Sequence, residues 1–166
     1  NFKMVNLFAY FFISLISLIA LSAIVTVLIS QKIKRSIPKF GKITTLKDAE
    51  IHWYETGHGR PIIMLHGLAG NLRNFTYALT DKLNQDFRVI AIDRAGCGWS
   101  KRSRPESATL NEQARIISDF IKKEKIEKPL IVGHSLGGAI ALTLALEHKT
   151  EISGLALICP ATQMID

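Results

Sequence analysis

Acidic residues are absent from the first 42 positions of this 166-residue chain, histidine is absent after position 148, and cysteine occurs only twice, as Cys97 and Cys159. Two cysteines this far apart exclude a disulfide scaffold and lack zinc-knuckle spacing. No His-Glu-x-x-His pair occurs, so no metal site is expected. Gly96-Cys97-Gly98 lacks the third glycine of a dinucleotide fingerprint, and no Gly-x4-Gly-Lys-Ser/Thr phosphate loop is present, so no cofactor is expected either. The missing acids also explain the net charge of +7. Lys3, Lys32, Lys34, Arg35, Lys39 and Lys42 stand unopposed, whereas the remaining 124 residues carry 15 basic and 14 acidic groups. The sequence pI near 9.6 therefore describes a basic collar and excludes a nucleic-acid-binding face on the folded part. The length suits one domain with a sizeable core.

What is present first is a long apolar run. From Leu7 to Ile29 only Ser14, Ser17, Ser22 and Thr26 are polar, and none of the 23 residues is charged. As a helix this run reaches ~34 Å, enough for a hydrocarbon core of ~30 Å. A signal peptide is the competing reading, with Lys3 before the run and Ala20-Leu21-Ser22 as a small-residue cleavage pattern. Against it, Ile24 to Ile29 prolongs the run past that site. Ser22, Thr26 and Ser30 recur every four residues and are expected to bond back to the helix backbone rather than form a packing stripe. The organisation expected is a transmembrane anchor over 1–30, a basic linker over 31–42 and a folded domain over 43–166. Basic residues crowd the downstream flank, so the positive-inside rule places that domain on the cytoplasmic side of a single-pass membrane protein.

Beyond the linker, strand-like and helix-like stretches alternate. Ile43–Leu46 and Ile51–Glu55 read as short strands, and Ile62–Leu65 as a strand buried on both faces. Asn71–Asn84 is predicted as one helix because Phe75, Leu79 and Leu83 are spaced by four. Phe87–Ile92 is a strand ending at Asp93. Thr109-Leu110-Asn111-Glu112 matches a capping box, after which Leu110, Ala114, Ile117 and Ile121 trace one helix face. Leu130–Val132 is a strand, Leu136–His148 a helix and Gly154–Cys159 a strand. Such alternation specifies an α/β class with a mostly parallel sheet and helices on both faces.

Gly133-His134-Ser135-Leu136-Gly137 lies between a predicted strand and a predicted helix, where a nucleophile elbow belongs. An elbow serine occupies a strained turn, so the positions two before and two after it must be small. His66-Gly67-Leu68-Ala69-Gly70 follows an earlier strand, and Asp93-Arg94-Ala95-Gly96-Cys97-Gly98-Trp99-Ser100 follows the next. These three segments, in this order, resemble the α/β-hydrolase superfamily over about residues 43–160, although Ala95 stands where proline is common. The resemblance implies Ser135 as nucleophile and the backbone N–H groups of Leu68 and Leu136 as oxyanion donors. It also implies that His66 shapes the oxyanion loop and is not the base. The superfamily's sheet order would set Cys97 and Cys159 about three strand spacings apart, ~14 Å against a disulfide limit of ~7 Å, so two free thiols are expected.

The superfamily's chain order is serine, acid, histidine. After Ser135 the chain offers Glu147, Glu151 and Asp166 as acids and His148 as a histidine. His148 ends the helix that starts at the elbow, so it falls ~18 Å from Leu136 and out of reach. His52, His58, His66 and His134 are expected in surface, loop or elbow positions. The chain thus reads as the N-terminal portion of a longer enzyme, incomplete at the C-terminal side of the sheet. The expected activity is that of a membrane-anchored, esterase- or lipase-like serine hydrolase whose partners are membrane lipid and a small apolar acyl substrate. Serine rather than aspartate at 135 sets it apart from the epoxide hydrolases and haloalkane dehalogenases. C–C hydrolases, haloperoxidases and acyltransferases share the serine, and a non-catalytic membrane-tethered binding module is the alternative of a different class.

Overall fold

A computed structural model of the chain describes residues 2–36 and 40–162, so Asp166 lies outside the described residues. The chain falls into two compact units, one ending at Phe40 and the other beginning at Gly41.

The first unit is a single helix, α1 (Phe2–Ser36). Its stretch Phe8–Ile33 has a mean hydropathy of 2.7 and no buried side chain. At 1.5 Å per residue these 26 residues extend ~39 Å, so α1 is long and apolar enough to cross a bilayer. Two of its hydroxyls turn back onto the helix as expected: Ser22 Oγ donates to the Ile19 carbonyl at 2.9 Å and Thr26 Oγ1 to that of Ser22 at 2.8 Å. Each thereby satisfies its polar atom against the helix backbone.

The second unit is built on a seven-stranded sheet. Its strands are β1 (Lys42–Thr45), β2 (Ala49–Thr56), β3 (Arg60–Leu65), β4 (Phe87–Ile92), β5 (Lys101–Arg102), β6 (Leu130–His134) and β7 (Gly154–Ile158). They run in the order β1-β2-β4-β3-β6-β7, with the short β5 paired to β2. β3 pairs in parallel with both β4 and β6, and β6 with β7, whereas β1, β2 and β5 form antiparallel pairs. Ile62, Ile63, Met64 and Leu65 are all buried, as a continuous apolar run flanked by parallel neighbours requires. β4 and β7 are separated by β3 and β6, and Cys97 and Cys159 are accordingly free thiols.

The helices supply the covering layers. α4 (Leu110–Lys123) opens with Thr109, whose side chain accepts from the Glu112 N–H. Its face Ile116, Ile117, Phe120 and Ile121 joins Ile140 and Leu144 of α5 (Leu136–Glu147) over Ile63, Leu65, Ile90 and Ile131 of the sheet. Leu110, expected on that face, is 39% exposed at the first helical position. Trp53 of β2 meets Phe120 edge to face with centroids 5.4 Å apart, the arrangement that the ring quadrupoles favour.

The single helix expected over Asn71–Asn84 is two short ones, α2 (Arg73–Thr76) and α3 (Leu79–Leu83). Ala78 breaks the run at φ −151°. Phe75, Leu79 and Leu83 keep the four-residue spacing through the break, which is why periodicity does not reveal it. β7 stops one residue short of the expected Cys159, which leaves the strand with φ 43°.

Replacing Phe120 by Ala is expected to destabilise this unit by about 3–5 kcal/mol, because the ring fills the core between the sheet and α5. The check is a thermal melt of the detergent-solubilised protein followed by the fluorescence of Trp53, which should lose its cooperative transition at lower temperature than in the parent.

Candidate active site

The sheet order turns around β3: the chain leaves β3 toward β4 on one side and returns to β6 on the other. Ligand crevices in α/β sheets form at such a reversal, beyond the carboxyl ends of the strands. Leu65 at the end of β3 is in register with Gly133 of β6, so the loops that follow must lie side by side. A Cβ placed on Gly67 would stand 3.1 Å from Ser135 Cβ.

Ser135 itself has φ 51° and ψ −119°, a conformation sparsely populated by residues with a side chain. The neighbouring glycines make it possible. A Cβ on Gly133 would fall 2.5 Å from the Gly137 carbonyl oxygen, and one on Gly137 would collide with the Leu65 carbonyl. Four backbone bonds hold the strained residue: its N–H donates to the Ile158 carbonyl at 3.0 Å, and its carbonyl accepts from the N–H groups of Gly138 at 2.8 Å, Ala161 at 3.0 Å and Ala139 at 3.3 Å. A serine before a helix ordinarily turns its oxygen onto the first-turn N–H groups. Here that bond is missing, so Oγ is uncommitted among the described residues. Leu136, the first residue of α5, offers an N–H without an intrahelical acceptor.

The loop after β3 is fixed from below. His66 is fully buried; its Nε2 accepts from the Arg94 N–H at 3.1 Å, which places the ring proton on Nδ1, donating to the Gly67 carbonyl at 2.9 Å. Burial pushes its pKa down to about 4. The Arg94 guanidinium donates from Nε to the His66 carbonyl at 2.8 Å and from Nη2 to the Gly67 carbonyl at 3.0 Å. Asp93 ties this loop to the next one: its carboxylate accepts from the Leu72 N–H at 2.7 Å and the Trp99 N–H at 2.9 Å, and bonds His52 Nδ1 at 2.7 Å. Ser100 Oγ closes the network by donating to the Asp93 carbonyl while accepting from the His52 N–H. Gly98 is required here, because any Cβ would collide with the Asp93 carboxylate.

The chain has known relatives. Residues 60–166 match the family model for the alpha/beta hydrolase fold. The chain belongs to the α/β-hydrolase family. It is 33% identical over 104 residues to the dihydrolipoyllysine-residue acetyltransferase component of the acetoin cleaving system of Cupriavidus necator, covering 63% of this chain and 27% of that protein. It is 33% identical over 108 residues to the AB hydrolase superfamily protein YisY of Bacillus subtilis, covering 64% and 40%. The esterase EaEST of Exiguobacterium antarcticum superposes with a TM-score of 0.67 at 29% identity, covering 74% of this chain and 46% of the esterase. The chain thus spans less than half the length of each of these proteins.

Set in that family fold, the five histidines separate clearly. His66 is locked neutral, with both ring nitrogens engaged, and cannot serve as a base. His134 is exposed beside the elbow, and His58 is exposed between β2 and β3. His148 caps the far end of α5, 3.5 Å from Glu151. His52 departs from its expected surface, loop or elbow position. It points into the sheet from β2, is 2% exposed, and is bound to Asp93. Strand alternation around Ile51-His52-Trp53 does not show this, because β2 is buried on both sides there. A carboxylate at a strand end before a glycine-rich turn was the one available hint of the Asp93 network.

The His66 geometry predicts a pH dependence. The unfolded imidazole titrates near 6.5, whereas the folded one does so at about 4. Between these values the unfolded state binds the additional proton, so the stabilisation present above pH 6.5 is lost as the pH falls toward 4, by at most about 3 kcal/mol. Denaturation midpoints measured from pH 7 to 4.5 should fall, and in His66→Gln the profile should be flatter.

Proposed function

We propose that the complete protein is a serine hydrolase of carboxylic esters, held at the membrane by α1. The observation that carries this reading is Ser135: a strained serine at the head of a helix, with its Oγ uncommitted and the Leu136 N–H free beside it. In this mechanism Ser135 Oγ attacks the ester carbonyl and passes its proton to a histidine supplied, with its acid partner, from beyond Asp166. The oxygen that gains negative charge is received by the Leu68 and Leu136 N–H groups, with the positive end of α5 behind the second. Collapse expels the alcohol and leaves an acyl-serine, which water cleaves to the free acid. The likeness to the esterase from Exiguobacterium antarcticum supports an ester substrate, and the serine at 135 supports acyl chemistry over the aspartate-based branches of the family.

The membrane part of the proposal rests on charge and length. The uncharged stretch of α1 is followed by the basic collar, while the folded part is nearly neutral. Each Lys or Arg near anionic headgroups contributes ~1 kcal/mol, so the collar orients the chain and the apolar helix attaches it. The substrate that suits this placement is a small apolar acyl ester that partitions into lipid, met at the cytoplasmic face.

A non-catalytic binding module is favoured by one observation, that no histidine among the described residues is placed as a base. One comparison separates the two readings. Ser135→Ala in the protein expressed from its complete reading frame should lower hydrolysis of a p-nitrophenyl acyl ester by at least about a thousandfold; equal rates with and without the serine would refute the enzyme. Sidedness has its own test. Alkaline phosphatase fused after residue 42 should be inactive in a bacterial host, and a strongly active or a released, soluble fusion would overturn the cytoplasmic placement or the uncleaved anchor respectively.

A further inference from the structure

The proposed mechanism leaves one buried charge without a role. Arg94 is 5% exposed, and none of the ion pairs among the described residues includes it. Its chain neighbour Asp93 directs its carboxylate to His52, Leu72 and Trp99 instead. Burying a guanidinium without a carboxylate is costly and calls for compensation by good acceptors. Here the acceptors are two carbonyls of the loop after β3, those of His66 and Gly67.

The Gly67 carbonyl and the Leu68 N–H belong to one peptide group. No peptide bond among the described residues is cis, so the two point in opposite directions from the same plane. The Gly67 oxygen is drawn inward by three donors: Arg94 Nη2 at 3.0 Å, His66 Nδ1 at 2.9 Å and the Gly70 N–H at 3.3 Å. The Leu68 N–H must therefore face outward, and it meets no acceptor among the described residues. The Leu68 side chain cannot hold the loop in place, since it is 79% exposed.

We infer that Arg94 is a positioning residue: its forked hold on the His66 and Gly67 carbonyls sets the direction of the Leu68 N–H toward the developing oxyanion. The inference rests on the serine-hydrolase reading of the site. The cation at the carbonyl end of the peptide also polarises that peptide, which strengthens its N–H as a donor.

The test uses the protein expressed from its complete reading frame, with a p-nitrophenyl acyl ester as probe and hydrogen exchange over residues 66–70 as a second readout. Arg94→Lys keeps the charge but loses the fork. It should lower kcat about tenfold with KM changed by less than about twofold, a loss smaller than that from deleting an oxyanion donor outright. Arg94→Ala should lose about 30-fold on the same grounds, and millimolar guanidinium, but not an equal concentration of sodium chloride, should restore part of the rate. In both variants exchange should accelerate over 66–70 and stay unchanged across β4. An unchanged kcat in Arg94→Lys, a loss confined to KM, or unchanged exchange at 66–70 would each overturn the inference, and if Arg94→Ala does not fold, Arg94→Lys alone decides. A Ser135→Ala control that still hydrolyses the ester would refute the serine-hydrolase reading, and with it the catalytic purpose of Arg94; the exchange readout then still reports whether Arg94 holds the loop.

Discussion

The first turn of α5 passes the end of β3 so closely that no side chain fits between them. A Cβ on Gly137 would collide with the Leu65 carbonyl, and one on Gly133 would press on the Gly137 carbonyl. This approach depends on β3 and β6 being parallel neighbours with Leu65 opposite Gly133. The chain must then reverse from strand to helix within a single residue, and Ser135 takes the strained conformation that results. Strain of this kind costs ~1–3 kcal/mol. It is offset locally by the four backbone bonds around Ser135, two of them with Ile158 at the end of β7 and Ala161 beyond it.

Polar contacts, rather than apolar ones, then bring the neighbouring loops into place. The loop after β3 is fastened to the loop after β4 through His66, Asp93 and Arg94, all of them 5% exposed or less. Backbone groups satisfy most of their polar atoms: Asp93 meets the N–H groups of Leu72 and Trp99 beside the His52 ring, Arg94 two carbonyls, and His66 one donor and one acceptor. A buried network of this type is strong only when complete, since removing one member leaves its partners desolvated and unpaired. The physical outcome is a rigid floor beneath an exposed rim.

The two units differ in where their apolar side chains lie. Along Phe8–Ile33 every side chain is exposed and the mean hydropathy is 2.7, whereas the sheet domain hides its apolar residues between strands and helices. The N-terminal charges carry the same division, because the basic residues unopposed by acids are confined to the first 42 positions.

The sequence by itself determined the sheet class, the order of most strands and helices, the apolar helix and the elbow at Ser135. These features are local: an apolar run between turn residues, an amphipathic period, and two glycines flanking a serine all carry their meaning within a few positions. It did not show the break at Ala78, because the spacing of Phe75, Leu79 and Leu83 is the same with or without it. Nor did it show that His52 and Asp93 are partners or that Arg94 grips the β3 loop, since these contacts join residues 27 to 41 positions apart. Only the tertiary structure decided them. The antiparallel register of β2 on β4 and the parallel register of β3 on β4 bring these residues together, and burial there requires each polar group to find a partner within the protein.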